Sequence, residues 1–191
     1  MEVNNLKLSR EKINKILNTD NSVMSINENI KYLLDVIPEL NYMIGFEHKH
    51  PHHHLDVWQH TLEALNNLNT NDLEIKMAVL LHDIGKPFSY QDDEVRHFHG
   101  HPEVSYEMTK KILVRLGYNE EFIKNVSYLV KTHDTIIDVN NLDNTLEMTK
   151  KRLQVQYADA KAHHPDTVDK KINFLNNIEK QLQMLEKEPQ R

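Results

Sequence analysis

Apolar residues recur at three- and four-residue steps along most of the chain, the spacing that places them on one face of an α-helix. This pattern predicts a short helix within residues 1–25, closed by a polar linker over 18–25. A second helix is predicted over 26–36, where Pro38 ends it, and a single helical turn follows within 39–45. The pattern therefore favours an all-α protein.

The same spacing predicts six further helices, most of them with a start or stop signal. Asp56 and Asn119 are suitable N-cap residues, and Pro102 suits a first helical position. Gly85 and Pro165 are expected to end helices. We expect these helices at residues 56–69, 71–82, 102–117, 119–133, 142–163 and 167–186. Because they carry apolar faces, we expect them to pack as a single compact helical bundle.

Composition narrows the class of protein. The 191 residues suit one domain, and the absence of cysteine excludes disulfides, thiolate metal sites and a cysteine nucleophile. A net charge of −6 argues against a protein that coats nucleic acid, although a bound metal ion would let an acidic protein bind phosphate. The sequence shows neither a signal peptide nor an apolar window of about 18 residues, so we expect a cytoplasmic protein.

Candidate chemistry is concentrated between residues 48 and 101, which hold ten of the thirteen histidines. The centre of this stretch is the motif His-Asp-Ile-Gly-Lys at residues 82–86, where a hydrophobic run ends in an adjacent imidazole and carboxylate. A neutral nitrogen and an anionic oxygen are donors that bind divalent metals. We therefore expect the functional site to lie at this motif.

Four other residues occupy positions from which a helical bundle could bring them to the motif. His60 lies on the apolar side of its helix and would approach His82 if two neighbouring helices packed antiparallel. Asp159 lies on an inward helix face, where a carboxylate is costly unless it is paired or bound to metal. His101 stands at a helix N-terminus and His133 at a helix end.

This ordered set resembles the HD superfamily of metal-dependent phosphohydrolases, and within it the HD domain of bacterial CCA-adding tRNA nucleotidyltransferases. The resemblance spans about residues 26–165. Besides the central motif, the stretches that carry it are residues 35–40, 45–46, 55–61, 98–101 and 157–159. It implies an N-terminal helical extension over 1–25 and an HD phosphohydrolase domain over 26–191. The glycine-serine loop and paired aspartates of a nucleotidyltransferase head are absent, so we do not expect this chain to add nucleotides.

The resemblance also implies a site for one or two divalent metal ions (Mn, Fe, Ni, Co, Zn or Mg). The ligands that it implies are His60, His82, Asp83, His101, His133 and Asp159. Members with two ions use the equivalents of His101 and His133, and Asp83 then bridges the ions. With a single ion, these two histidines would instead contact substrate or support the ligands.

The residues expected to bind substrate are Lys86, Arg96 and Arg152. Lys86 and Arg96 could hold non-bridging phosphate oxygens, although Lys86 could instead complement a helix dipole and Arg152 could lie on a solvated helix face. A bound metal lowers the pKa of water from 15.7 towards ~7, which provides hydroxide at neutral pH. His97 or His99 could protonate the leaving oxygen. The catalytic residues expected from this scheme are Asp83, Lys86 and His99.

The histidines that precede residue 55 are harder to place. We expect His48 and His50 in a polar surface loop. For His52, His53 and His54 the sequence leaves open whether they lie near the pocket.

The predicted function is the hydrolysis of a phosphate ester of a nucleotide, of a 2′,3′-cyclic phosphate or of an RNA end. One alternative is a nucleotidase or a hydrolase of signalling nucleotides. A second is a regulatory domain that binds metal and nucleotide without turning the nucleotide over. The expected partner is a small phosphorylated substrate or an RNA end, with no membrane contact.

Overall fold

A computed structural model describes residues 2–49, 54–92 and 94–187, apart from the side chains of residues 2–5 and 167. Within these ranges the chain forms nine α-helices: α1 (Glu2–Leu17), α2 (Ser22–Glu28), α3 (Ile30–Val36), α4 (Val57–Asn66), α5 (Leu73–Leu81), α6 (His101–Arg115), α7 (Glu120–Thr132), α8 (Leu146–Lys161) and α9 (Pro165–Lys187). Two 3-10 helices lie at Pro38–Tyr42 and Lys86–Phe88. The all-α prediction is confirmed.

A small sheet interrupts the loop that precedes α6. Strand β1 (Gln91–Asp92) pairs antiparallel with β2 (Arg96–His97), and Asp92 lies opposite Arg96. The sequence pattern predicts no regular element between the helices at residues 71–82 and 102–117. Each strand has only two residues, too few to show the alternation of apolar and polar positions from which strands are recognised.

Side-chain caps fix several helix starts. Asp56 Oδ1 and Asn119 Oδ1 each accept a hydrogen bond from the amide three residues ahead, at 2.7 and 2.8 Å, and both predicted caps are confirmed. Asp72 and Thr145 cap α5 and α8 in the same way. Because Thr145 caps it, α8 begins later than the predicted helix over 142–163.

The N-terminal boundaries differ from the prediction. The linker is confined to 18–21, because Asn21 caps α2 and the helix starts at Ser22. The single helix predicted over 26–36 is wrong, since the chain breaks at Asn29 between α2 and α3. The Asn29 side chain donates a 2.9 Å hydrogen bond to the carbonyl of Ser25, and such side-chain bonds compete with helical ones.

Helix α5 is the central helix of the bundle. Every residue from Ile75 to Leu81 is buried, including Lys76, so the one-sided burial that the sequence suggested for this helix is wrong. A helix that is apolar on all sides is one surrounded by others. The motif at residues 82–86 follows at its C-terminal end and is therefore held inside the protein.

Two clusters of apolar side chains stabilise the fold. The larger contains Ile13 and Leu17 of α1 together with residues of α4 to α8, and the smaller joins α8 and α9 to Ile137. Helix α1 thus contributes to the main core, and a domain boundary near residue 25 stays a prediction. Among the described helices, none combines the length and apolar character needed to cross a bilayer.

Candidate metal centre and catalytic pocket

Six side chains from five helical segments converge on one buried point. The C-terminal ends of α5 and α7 contribute three of them, the first residue of α6 contributes one, and inward positions on α4 and α8 contribute the others. These residues are His60, His82, Asp83, His101, His133 and Asp159. They form two groups of three, and within each group the nitrogen and oxygen atoms that could bind a metal lie within 4.8 Å of one another.

The first group consists of His60, His82 and Asp159. Oδ1 of Asp159 lies 3.0 Å from Nε2 of His60 and 3.7 Å from Nε2 of His82. His60 and Asp159 are separated by 99 residues in sequence, so only the packing of α4 against α8 can join them.

The second group consists of Asp83, His101 and His133. The Nε2 atoms of the two histidines lie 3.1 Å apart, and Oδ1 of Asp83 lies 3.4 and 3.7 Å from them. The Nδ1 atoms of His101 and His133 donate hydrogen bonds to the carbonyls of Phe98 and Val130. In the neutral imidazoles, therefore, both Nε2 lone pairs point at the same space, an arrangement that a cation between them would stabilise.

Asp83 lies between the two groups. Its Oδ1 faces the second group, whereas its Oδ2 lies 3.2 Å from Nε2 of His82 and 3.7 Å from Nε2 of His60. Oδ1 of Asp83 and Nε2 of His82 are buried without a hydrogen-bond partner in the described part of the chain, whereas Oδ2 of Asp83 lies 2.7 Å from Nζ of Lys86. Buried polar atoms without partners are rare in folded proteins. With nitrogen and oxygen donors on both sides, this set fits one or two divalent metal ions.

Backbone carbonyls orient the histidines of the first group as well. Nδ1 of His60 donates to Ala162 at 3.2 Å, and Nδ1 of His82 donates to Val79 at 2.7 Å. All four histidines thus present Nε2 to the centre. Metal-binding histidines commonly donate their other ring nitrogen to a carbonyl in this way.

The electrostatics keep the two carboxylates ionised. Burial alone would raise the pKa of Asp83, but His82 and Lys86 hold it well below its usual value. Burial opposes ionisation of Asp159 too, yet the charges of Lys171 and His163 keep its pKa well below the usual value. The centre therefore holds two buried negative charges, which is the condition a cation site requires.

Lys86 and His48 form a pair beside the centre. Nζ of Lys86 lies 2.7 Å from Oδ2 of Asp83 and donates to Nε2 of His48 at 3.1 Å. Nδ1 of His48 donates to the carbonyl of Leu55 at 2.9 Å. Burial, reinforced by the charge of Lys86, lowers the pKa of His48 to about 2, so His48 is a neutral acceptor.

The placement of His48 in a surface loop is wrong, since the residue is 1% exposed. Its ring packs edge-on against those of His60 and Phe98, which cover it from distant parts of the chain. Its own neighbours in sequence are polar and carry no signal of this burial. His50, His52 and His53 lie outside the described residues. His54 is exposed, with its ring 5.4 Å from that of His164, and it does not line the central cavity.

A cavity of about 150 Å³ opens onto the centre. Besides the ligand candidates, the residues that line it are Lys86, Arg96, His97, Phe98, Asp134 and His163. Lys86 and Arg96, both expected to bind substrate, therefore border the pocket. Asp134 and His163 were not singled out from the sequence. Asp134 directly follows the predicted ligand His133, and His163 lies four residues after the predicted ligand Asp159. This proximity is the only signal that the sequence gives for either residue.

Arg96 lines the cavity with its guanidinium already engaged. It donates to both oxygens of Asp92 at 3.1 Å and to the carbonyl of Glu47 at 2.7 Å. The rings of Phe46 and Tyr90 flank it at 4.6 and 4.7 Å. These contacts make Arg96 chiefly an anchor of the β1–β2 hairpin.

The structure does not bring Arg152 to this cavity. Its buried guanidinium donates to the carbonyls of Thr132, Thr135 and Ile136 and to Asp143. Contrary to the prediction, Arg152 therefore does not contact a substrate in the cavity. Its hydrogen bonds instead stabilise the backbone of the segment after α7. A solvated position for Arg152 is equally excluded.

The histidine expected as a proton donor, His99, is exposed and is absent from the cavity wall. His97, the weaker candidate in the sequence, lines the cavity, and its ring stacks on that of His99 with centroids 5.5 Å apart. Both residues are exposed and their rings lie side by side, and of the two only His97 borders the cavity.

Lys171 of α9 is a contributor that the sequence did not reveal. Its Nζ lies 2.8 Å from Oδ2 of Asp159, the oxygen that faces away from the histidines. Burial by itself would lower the pKa of Lys171, but the Asp159 carboxylate outweighs it and the pKa is raised. Lys171 therefore holds Asp159 in place from the outer side.

Comparison with known proteins agrees with this geometry. Residues 52–177 match the family model described as HD domain. The chain is 42% identical over 109 residues to an A-adding tRNA nucleotidyltransferase of Deinococcus radiodurans. It is 38% identical over 104 residues to a CC-adding tRNA nucleotidyltransferase of Thermus thermophilus.

The similarity to these relatives is partial. The two alignments cover 53% and 51% of this chain but 25% and 24% of the relatives, so the chain spans about a quarter of their length. The family match itself covers well over half of the chain. The HD domain characterises a superfamily of metal-dependent phosphohydrolases, and the resemblance found in the sequence is confirmed: the chain belongs to the HD domain family.

Proposed function

We propose that this protein hydrolyses a phosphate ester of a nucleotide, of a 2′,3′-cyclic phosphate or of an RNA end at a centre of two divalent metal ions. The observation that carries this proposal is the position of Asp83, whose two oxygens face two separate groups of candidate ligands. The similarity to tRNA nucleotidyltransferases favours an RNA end or its cyclic phosphate among these substrates.

The described residues have distinct tasks in this proposal. His60, His82 and Asp159 would hold one ion, and Asp83, His101 and His133 would hold the other. Bound ions would supply an activated water and neutralise phosphoryl oxygens.

Lys86 provides a positive charge at the wall of the cavity. Its Nζ is fixed between Asp83 and His48, so it is already oriented before a phosphate enters. A phosphate oxygen placed in the cavity would meet this ammonium group and form a charge-assisted hydrogen bond.

We assign the donation of a proton to the leaving oxygen to His97 rather than to His99, because only His97 lines the cavity. His97→Ala should lower kcat by roughly 10²–10⁴-fold, the usual contribution of a general acid. His99→Ala is the matched control, since it removes the stacked neighbour without removing a cavity residue. Equal losses in the two variants would contradict the assignment.

The first experiment is the metal content per chain, measured by mass spectrometry on protein purified without chelator. We expect about two ions in the wild type and one in His101→Ala or His133→Ala. His54→Ala serves as a control, because His54 is an exposed histidine outside the pocket. If the wild type and both variants each hold one ion, these histidines contact substrate rather than metal. If the protein binds no metal even after soaking, the proposal is refuted.

The second experiment is a substrate panel with the metal-loaded chain. It contains 2′,3′-cyclic nucleotides, 2′- and 3′-nucleotides, nucleoside 5′-phosphates and an RNA that ends in a cyclic phosphate. Turnover of the cyclic phosphates would favour phosphodiesterase activity, and turnover of monoesters alone would favour a nucleotidase. Binding without turnover of any member would favour a regulatory domain.

A further inference from the structure

We propose that a groove next to the metal centre is the subsite for the nucleobase of the substrate. The groove lies between the segment after α7 and helix α9. The inference rests on the proposed function only in that the substrate phosphate is taken to lie at the metal centre.

The groove borders the catalytic cavity. It has a volume of about 390 Å³ and shares His133 and Asp134 with that cavity. A ligand whose phosphate lies at the metal centre would enter the groove past these two residues. The remainder of a nucleotide beyond its phosphate is the part that needs such a space.

The walls of the groove are apolar and open to solvent. Ile136 on one wall is 74% exposed, and Phe174 on the other is 43% exposed. Lys170 and Lys171 lie at its polar edge. Exposed apolar groups that polar residues surround are typical of ligand-binding grooves. An aromatic ring beside a phosphate site suits a flat base, because bases stack on aromatic side chains.

Buried hydrogen bonds hold the wall that carries Ile136. Arg152, which is 2% exposed, donates to the carbonyl of Thr135 at 2.6 Å and to that of Ile136 at 3.1 Å. Gln156 donates to the same Thr135 carbonyl at 2.7 Å. The next residue, Ile137, is buried in the core between α8 and α9. The exposed side chain of Ile136 is thus presented outward by a fixed backbone.

The opposite wall is tied to the metal centre itself. Lys171 contacts Asp159 at 2.8 Å, and Phe174 lies three residues later on the same helix, hence on the same face. Leu175 and Ile178 anchor this part of α9 in the smaller core. The ring of Phe174 therefore lies about one helical turn from a residue that touches a metal ligand, a separation of roughly 5 Å along the helix. That is within the span of one nucleotide.

The chemistry of the walls predicts weak discrimination between bases. An aromatic ring and an aliphatic side chain contact the faces of a base, which all bases share, rather than its hydrogen-bonding edges. We therefore expect adenosine, guanosine, cytidine and uridine 3′-phosphates to bind with similar affinity.

The test measures, by titration calorimetry, how tightly adenosine 3′-phosphate and inorganic phosphate bind to Mn²⁺-supplemented protein. Phe174→Ala should weaken binding of the nucleotide by about 5- to 150-fold, the range found when a stacking aromatic is removed. Binding of inorganic phosphate should be unchanged, because the metal centre is intact. Met184→Ala is the matched control, since Met184 is a 66% exposed apolar residue farther along the same helix.

Three results would overturn the inference. Phe174→Ala could bind the nucleotide as tightly as the wild type, or the wild type could bind the nucleotide no more tightly than inorganic phosphate. The third result combines two measurements: light scattering finds a dimer that Phe174→Ala converts to a monomer, and nucleotide binding does not change. In that case a second copy of the chain occupies the groove.

The binding test separates this inference from the proposed function. If no ester is hydrolysed but Phe174→Ala still weakens nucleotide binding, the subsite stands and the hydrolase proposal fails. If cyclic phosphates are hydrolysed and Phe174→Ala leaves both their KM and nucleotide binding unchanged, the hydrolase proposal stands and the subsite is refuted.

Discussion

Gly85 lies where the motif at residues 82–86 packs closely against α6. A Cβ atom at this position would lie 2.6 Å from the backbone nitrogen of Ser105, 2.8 Å from its Oγ and 2.9 Å from the carbonyl oxygen of His101. Ordinary contact begins at 3.4 Å, so these atoms would have to recede by 0.5–0.8 Å (3.4 − 2.9 and 3.4 − 2.6). Two of the three belong to the backbone of α6. The helix itself would therefore have to move.

The consequence of Gly85→Ala can be estimated from that displacement. The backbone of Gly85 is helical, with φ −82°, so alanine is conformationally acceptable and the cost is steric. Overpacking of this kind costs about 1–3 kcal/mol. For a protein of this length each kcal/mol lowers Tm by roughly 2–4 °C, so we expect a decrease of about 2–12 °C.

The same displacement should reach the metal centre through His101. Its Nε2 lies 3.4 Å from Oδ1 of Asp83, and metal ligands tolerate errors of only about 0.2 Å. We expect Gly85→Ala to lose the ion held by Asp83, His101 and His133 and to keep the other. Circular dichroism would measure Tm, and mass spectrometry the metal content.

Two control variants separate steric overlap from backbone strain. At Gly45 a Cβ would meet open space but φ is +71°, so Gly45→Ala should cost about 1–2 kcal/mol without loss of metal. Ser105→Gly in the Gly85→Ala background removes the Oγ contact but leaves both backbone contacts, and it also removes the hydrogen bond that Oγ accepts from the amide of residue 85, so it should not restore stability. Wild-type Tm and metal content in Gly85→Ala would refute the reasoning, whereas lost stability with both ions retained would refute only the link to His101.

Three other perturbations test further contacts. Lys171→Met removes the ammonium group that contacts Asp159 and should weaken metal binding roughly 10- to 100-fold, measured by competition with a chromophoric chelator. An unchanged Kd would show that Asp159 does not need the contact with Lys171. Arg152→Lys should lower the free energy of unfolding by roughly 1–3 kcal/mol, because one ammonium group cannot replace a guanidinium that contacts three carbonyls. Urea titrations would measure this, and wild-type stability would contradict it. Chelation of both bound ions should lower Tm by roughly 11–22 °C if each ion is present at about 100 times its Kd, and added Mn²⁺ should restore it. A Tm that does not respond would argue against bound metal.

The features predicted correctly from the sequence depend on short-range interactions. Asp56 and Asn119 cap helices by bonds that span three residues, so the sequence contains both partners. The ligand candidates could likewise be singled out because each lies at a helix end or on an inward face. Their roles as metal ligands stay predictions until metal content is measured.

The features that the sequence did not reveal depend on distant neighbours. His48 is buried by rings from other segments, and Lys171 acquires its partner only when α9 packs on α8. Arg152 has the same composition around it as a solvated helix residue, and only the folded segment after α7 provides its carbonyl partners. The break at Asn29 is a further case, because local hydrogen bonds of similar strength compete there and residue type does not decide between them.

If an ion occupies each group as proposed, the carboxylate of Asp83 links the two halves of the centre thermodynamically. An ion that binds to one oxygen fixes the carboxylate plane and alters the charge that the other oxygen presents. This coupling free energy is reciprocal. The change that the first ion makes in the binding free energy of the second equals the change that the second makes in the binding free energy of the first. A substitution on the His133 side would therefore also change metal binding at His60, and a titration of either half would report on both.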